Sequence, residues 1–288
     1  MMPLRDADLR SNAITGATSR LGDGVQRIVA PNPSPMTGPG TNTYVIGTGE
    51  QGLVVDPGPD DEAHIERILR ATGGRIGAIL CSHSHPDHSP GAVALKRLTG
   101  APVLGRDAPD DGYQDETYAP DGSLEDGQVL AADGGTLRVL HTPGHASNLV
   151  CFLREEQGWL LTGDHLMSGS TVVILPPDGS MRLYLQSLVR LRTLPLAALL
   201  PGHGGAILDP LAEIDRVIAH RSKREAKVVA ALRREGAASL DVLLPRVYDD
   251  TPVALHWLAR FSLLAHLQKL VEEERADADG ATWVWRER

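Results

Sequence analysis

The sequence predicts a mixed α/β fold in which two β layers are covered by helices, followed by a smaller, mainly helical appendage. Three observations lead there. From Val25 to about Leu208, short apolar runs alternate with Gly/Pro/Asp turns and helical stretches. Hairpin signals, as at residues 154–158, join some of these runs directly, while helices separate others. After Leu208 the texture changes to long, charged helical patterns.

The period-2 and continuous apolar runs place strands at 43–47, 52–56, 78–82, 103–105, 137–141, 149–154, 159–163 and 198–201. Helical periodicity places helices at 62–71, 89–98 and 180–193. The tail reads as one long helix over 209–235, a short helix at 239–247 and a helix from 253 to about 274. A turn at 277–280 then precedes an alternating strand at 282–285. Helix, helix, helix and hairpin is the order of a winged helix. The expected organisation is an N-terminal extension (1–24), a main domain (25–208) and a winged-helix-like domain (209–288).

Hydrophobic residues make up 42% of the 288 and charged residues 23%, the balance of a globular chain with a sizeable core. The net charge of −9 argues against a general affinity for polyanions or acidic membranes. Residues 209–288 hold 13 Lys/Arg against 14 Asp/Glu, so the appendage is nearly neutral. Cys81 and Cys151 sit in apolar runs and read as two buried free thiols of a reducing compartment. The first thirty residues lack a signal-peptide pattern and no run approaches a membrane span, so a cytoplasmic location is expected, as a monomer or homodimer. Residues 107–126 carry eight acidic side chains and no Lys or Arg, which suggests an exposed, mobile loop or a substrate-selecting rim.

The chemistry concentrates after the apolar strand at 78–81, where Ser82-His83-Ser84-His85-Pro86-Asp87-His88 sets four metal-capable side chains within six residues. Pro86 prevents a regular helix through them. Zinc favours imidazole nitrogen and carboxylate oxygen, and a strand-end turn can send His83 and His85 toward one ion while Asp87 and His88 face a neighbour. His145 follows Thr142-Pro143-Gly144, Asp164 follows a strand ending in Gly163, and His203 follows Leu200-Pro201-Gly202. Each is a ligand type beside glycine at a strand end, where the backbone can turn tightly. The bland reading is kept for His64, His220, His256 and His266, as surface or packing residues, and His141 at its strand end reads as a packing residue or a partner of a ligand rather than a ligand. His165 reads either way, as a near-site contact or a helix start. Trp283 and Trp285 read as anchors of the hairpin.

His-x-His-x-Asp-His, then Thr-Pro-Gly-His, then Gly-Asp, then Pro-Gly-His-Gly, as an ordered set, resembles the metallo-β-lactamase superfamily. Over nearly the whole chain, Gly40-Thr41-Asn42-Thr43-Tyr44 and the tail from Thr251-Pro252 to Leu270 are similar to its β-lactamase-like protein 2 group. The resemblance implies a four-layer αββα sandwich with a C-terminal winged helix and two zinc ions per chain. It implies one zinc on His83, His85 and His145 and a second on Asp87, His88 and His203, with Asp164 bridging. Asn42, Asp56 and His165 are expected beside the ligands, as partners of a ligand or of the substrate. Leu149 stands where many relatives carry another His.

Two zinc ions sharing one water would supply hydroxide at neutral pH, with Asp87 and Asp164 as the catalytic carboxylates. The expected substrate is a carboxylic ester, thioester or lactone. The alternative is endoribonuclease action on single-stranded RNA, which the group includes and which Arg216, Arg221, Lys223, Arg224, Lys227, Arg233 and Arg234 would serve. A β-lactamase and a non-enzymatic winged-helix regulator fit less well, since the tail is not basic. The appendage could equally be a lid over the cleft.

Overall fold

The computed structural model describes residues 9–47, 52–132 and 135–287. By contacts the chain forms two compact units: residues 1–142, 148–172 and 194–210, and residues 143–147, 173–193 and 211–288. The second unit therefore takes in two stretches that precede the expected division at 208.

The first unit is built on two sheets. One has seven strands in sequence order: β1 (Thr18–Gly22), β2 (Val25–Val29), β3 (Asn42–Ile46), β4 (Leu53–Val55), β5 (Ala78–Leu80), β6 (Val103–Gly105) and β7 (Gly122–Ser123). The first four are antiparallel neighbours; β4 through β7 are parallel. Helices α1 (Glu62–Thr72) and α2 (Gly91–Thr99) supply the crossovers between β4, β5 and β6. The other sheet runs β12 (Ala198–Pro201), β11 (Trp159–Gly163), β10 (Val150–Arg154), β9 (Gly135–His141), β8 (Val129–Ala132).

Strand alternation sorts the side chains into layers. Tyr44, Ile46, Leu53, Val55 and Leu80 from the first sheet form one core with Val139, Phe152, Trp159, Leu161 and Leu200 from the second. Val45, Val54 and Ile79 point the other way, onto Ile65 and Ile68 of α1 and Leu95 of α2. Helix α1 starts at Asp61, whose side chain accepts from His64 N, and stops at Gly73 in the left-handed region. The two cysteines are buried free thiols.

Strand β1 lies within residues 1–24, which the sequence reading set outside the main domain; Thr18 pairs with Ile28 across the ladder. The segment 107–126 is not uniformly exposed either. Asp115 and Leu124 are buried, because Asp115 bonds inward: its Oδ2 accepts from Ser89 Oγ at 2.7 Å and its N donates to Ser84 O at 2.8 Å.

The second unit holds α3 (Met181–Leu191), α4 (Pro210–Glu235), α5 (Leu240–Val247), α6 (His256–Glu272) and a three-stranded sheet. Strands β13 (Ala237–Ser239) and β14 (Ala276–Asp279) flank β15 (Thr282–Trp285). The winged-helix order is thus present, with β13 as an added strand too short to read in the sequence. A 3₁₀ turn at Val253–Leu255 occupies the start expected for α6. Leu232, Leu243, Leu263, Leu267, Leu270 and Trp283 form its core. The buried face of α4 runs through Ile214, Val217, Arg221, Val228 and Leu232, whereas Leu211 is exposed. Among the described residues no helix is long and apolar enough to cross a membrane.

Candidate metal centre

Strand β5 ends by delivering Ser82 onto Asp56, the residue that follows β4. Asp56 adopts φ 51°, a left-handed backbone that is uncommon for a non-glycine residue. Its carboxylate accepts three hydrogen bonds, from Ser82 N at 2.7 Å, Ser82 Oγ at 2.8 Å and His88 Nδ1 at 3.0 Å. The last fixes the His88 tautomer: Nδ1 carries the proton and Nε2 presents its lone pair. A tight turn, with His88 N donating to His85 O at 3.0 Å, brings the rest of the motif round before α2 begins.

That lone pair meets three others. His88 Nε2 lies 3.6 Å from Asp87 Oδ2, 3.3 Å from Asp164 Oδ1 and 3.3 Å from His203 Nε2. His203 Nε2 is 3.2 Å from Asp87 Oδ2 and 3.3 Å from Asp164 Oδ1. His203 Nδ1 faces Gly40 O at 3.3 Å, so its Nε2 is again the atom turned to the centre. One ligand atom from each of Asp87, His88, Asp164 and His203 falls in a single group, all within 4.8 Å of one another. The rings of His83 and His85 meet edge-on beside it, with centroids 4.6 Å apart. His145 Nδ1 faces Val173 O at 2.7 Å, the same tautomeric device.

Two glycines are demanded by close approach. A Cβ on Gly202 would lie 2.7 Å from Asp164 Oδ1 and 2.8 Å from His88 Cε1, inside the group of four ligands. A Cβ on Gly144 would lie 2.4 Å from Tyr184 Cα, where the turn carrying His145 passes α3. That turn is tied by Ser180 N to Gly144 O at 2.8 Å and by Ser147 N to Asp178 Oδ2 at 2.7 Å.

The donor set fits a cation. Burial opposes protonation of His88, yet Asp87, Asp164 and Asp56 push its imidazole well above the usual range. Burial likewise opposes the charge on His203, and Asp164 and Asp87 overcome it, raising the ring to about 9. Asp87 is held down at about 2 against its own burial by His88 and His203, and Asp164 well below the carboxylate range by the same two rings. Without a cation these carboxylates hold protons on the two buried rings; a metal ion would take the place of the Nε2 protons, and imidazole nitrogen with carboxylate oxygen is the set zinc favours.

The expected neighbours separate into distinct tasks. Asn42 Nδ2 donates to Pro201 O at 2.9 Å and Gly204 O at 2.8 Å, clamping the loop that carries His203. His165 is fully buried beside Asp164 and belongs to neither ligand group; its N donates to Thr162 O at 2.9 Å. Leu149 is completely buried. A polar chain that sequence reasoning missed runs from Asn148 Nδ2 to Ser84 Oγ at 2.7 Å and from Ser84 Oγ to Gln114 Oε1 at 2.5 Å. It fixes the serine between His83 and His85 to the acidic segment. A serine flanked by two ligands was the available signal.

Apart from Lys223, which is exposed, the basic residues proposed for RNA are engaged within the second unit. Arg221 is buried, with its guanidinium 5.6 Å from the Tyr184 ring. Arg224 and Lys227 pair with Asp250 at 2.8 Å each, Arg216 with Glu213 at 2.7 Å and Arg234 with Glu235 at 3.0 Å. Arg233 lies over the Trp285 ring at 4.7 Å. Trp283 enters the core and Trp285 is half-buried, consistent with anchoring.

The chain matches the family model of the metallo-β-lactamase superfamily over residues 36–203 and that of the β-lactamase-associated winged helix domain over 239–283. It is 32% identical over 278 residues to a β-lactamase-like protein 2 homolog of Drosophila melanogaster, covering 91% of this chain and 92% of that one. It is 32% identical over 247 residues to an atrochrysone carboxyl ACP thioesterase of Aspergillus fumigatus, covering 79% and 74%. A crystal structure of a metallo-β-lactamase family protein from Thermus thermophilus superposes with a TM-score of 0.75 at 26% identity, covering 93% of this chain and all of that one. With its ordered ligand motif, its two-sheet unit and its winged helix, the chain belongs to the metallo-β-lactamase superfamily and is a hydrolase of that fold.

Proposed function

We propose that this protein is a dinuclear zinc hydrolase of carboxylic thioesters, with oxygen esters and lactones as chemically adjacent substrates. The observation that carries the reading is the convergence of Asp87, His88, Asp164 and His203, with His83 and His85 edge-on to each other on the same turn. Zinc held by these side chains, Asp164 among them, would supply Lewis acidity and a water acidified to near neutral pH. In the reaction, a water oxygen adds to the acyl carbon, the C–S bond breaks, and the departing thiolate takes up the proton that water gives up. Asp87, whose side chain is 30% exposed while Asp164 is 10% exposed, is the carboxylate open to the cleft. It holds the water in line and is placed to carry its proton. Asp56 and Gly40 O keep His88 and His203 in the tautomer that leaves Nε2 unprotonated.

A relative named as a thioesterase supports thioester within the wider acyl class. The RNA reading rested on the basic face of α4, whose charges are largely paired or buried. The test is a screen of purified protein against a butyryl thioester, butyryl ester, butyrolactone and a short single-stranded RNA, with and without chelator. Chelator-sensitive thioester turnover is expected. RNA cleavage without acyl hydrolysis would reverse the assignment.

A further inference from the structure

A cavity of about 600 Å³ lies against the loop that follows His203. Gly204, Gly205 and Ser168 line one side of it and residues 9–14 another. Gly204 is part of the metal-bearing loop, since its carbonyl accepts from Asn42 Nδ2 at 2.8 Å. Among the described residues lining the cavity, Arg10 is the single charged one. Ser11, Asn12 and Ser168 contribute the polar side chains, and no acidic residue is among them.

A second positive charge stands behind the wall. Arg27, on β2, is fully buried. Its Nη2 donates to Ser11 O at 2.9 Å, Asn12 O at 2.9 Å and Ser11 Oγ at 3.2 Å. Its Nε and Nη1 are buried without a hydrogen-bond partner. A guanidinium out of water with no carboxylate beside it among the described residues is costly, and it is retained where its field serves something. Here it holds the wall segment and, by occupying a lone pair of Ser11 Oγ, leaves that hydroxyl with its proton to donate.

The cavity is therefore positive and rich in donors in a chain whose net charge is −9. We propose that it receives a carboxylate carried at the far end of the substrate's acyl group, so that the enzyme selects ω-carboxyacyl thioesters. The inference rests on the hydrolase reading above. An arginine fork takes a carboxylate through two parallel bonds, and a single exposed guanidinium flanked by hydroxyl donors matches one negative charge. Arg10 binds this carboxylate directly; Arg27 is a positioning residue that acts through Ser11 and Asn12.

The test compares S-glutaryl- and S-pentanoyl-N-acetylcysteamine, thioesters with five-carbon acyl chains that differ in a terminal carboxylate against a methyl group. The wild type should favour the glutaryl compound at least about ten-fold in kcat/KM at low salt, with the difference in KM. Arg10→Gln should erase that preference, while Arg10→Lys keeps part of it. Equal use of the two thioesters by the wild type, or a preference that survives Arg10→Gln, overturns the proposal. If neither thioester is hydrolysed, the thioesterase reading fails and the cavity is read by calorimetry with glutarate. Binding at least about ten-fold tighter to the wild type than to Arg10→Gln sustains the anion site, and equal or absent binding ends it.

Discussion

The Asp56 carboxylate and the His88 imidazole meet at 3.0 Å through Oδ2 and Nδ1, and this contact decides which nitrogen His88 turns toward Asp87, Asp164 and His203. The same carboxylate gathers Ser82 N and Oγ, so it holds the strand end and the ligand together. Asp56→Asn keeps the shape but faces an NH₂ group toward one of these donors. Metal affinity at the Asp87/His88/Asp164/His203 group should fall by roughly 10–100-fold, as for other partners of metal-bound histidines. Competitive titration with a chromogenic chelator reads this, and unchanged affinity would remove Asp56 from the role.

Asp164→Ala should abolish turnover and leave the fold intact, because Asp164 lies at the edge of the sandwich, where its Oδ1 faces His88 and His203 rather than apolar neighbours. Asp87→Ala should do nearly as much. Retention of more than a few per cent of the wild-type rate, with circular dichroism unchanged, would contradict the assignment of these carboxylates.

Arg221→Ala should cost about 1–2 kcal/mol of stability, since it strips a buried side chain from the α4 face and a cation from the Tyr184 ring. The exposed Lys223→Ala should cost almost nothing. Thermal unfolding separates the two; equal, negligible shifts would show that the guanidinium does not pack as described.

Acidification should destabilise the winged-helix unit. Burial holds the His266 imidazole down at about 4, below the ordinary value near 6.5. The unfolded chain thus binds more protons across that window, so stability is full above about 6.5 and is lost as pH falls toward 4. Glu225 is held at about 2 despite burial, by the His266 ring 3.8 Å away and by Lys269, which pairs with it at 2.8 Å. Its contribution is present above the ordinary glutamate value and is lost at still lower pH, in the same direction. Urea titrations at pH 7.5 and 5 should show the loss, and His266→Gln should flatten it; an identical slope in the variant would count against His266 as the origin of the acid sensitivity.

Much of the site was legible because its residues are local. His83, His85, Asp87 and His88 share one turn, and His145, Asp164 and His203 each stand beside a glycine at a strand end. What escaped the sequence depends on pairing between distant segments. Strand β1 shows weak alternation and is ordered by its ladder with β2. The burial of Asp115 within an acidic run depends on Ser84 and Ser89, 26 or more residues away. The basic pattern of α4 looked like a polyanion surface because charge is visible in a sequence and its partners Asp249 and Asp250 are not adjacent to it.

Metal stoichiometry tests the dinuclear reading most directly. Elemental analysis of protein purified without chelator should find close to two metal ions per chain, mainly zinc, and close to one in a His83→Ala/His85→Ala variant that keeps the Asp87/His88/Asp164/His203 group. A ratio well below one in the wild type, or no loss of metal in the double variant, would contradict it.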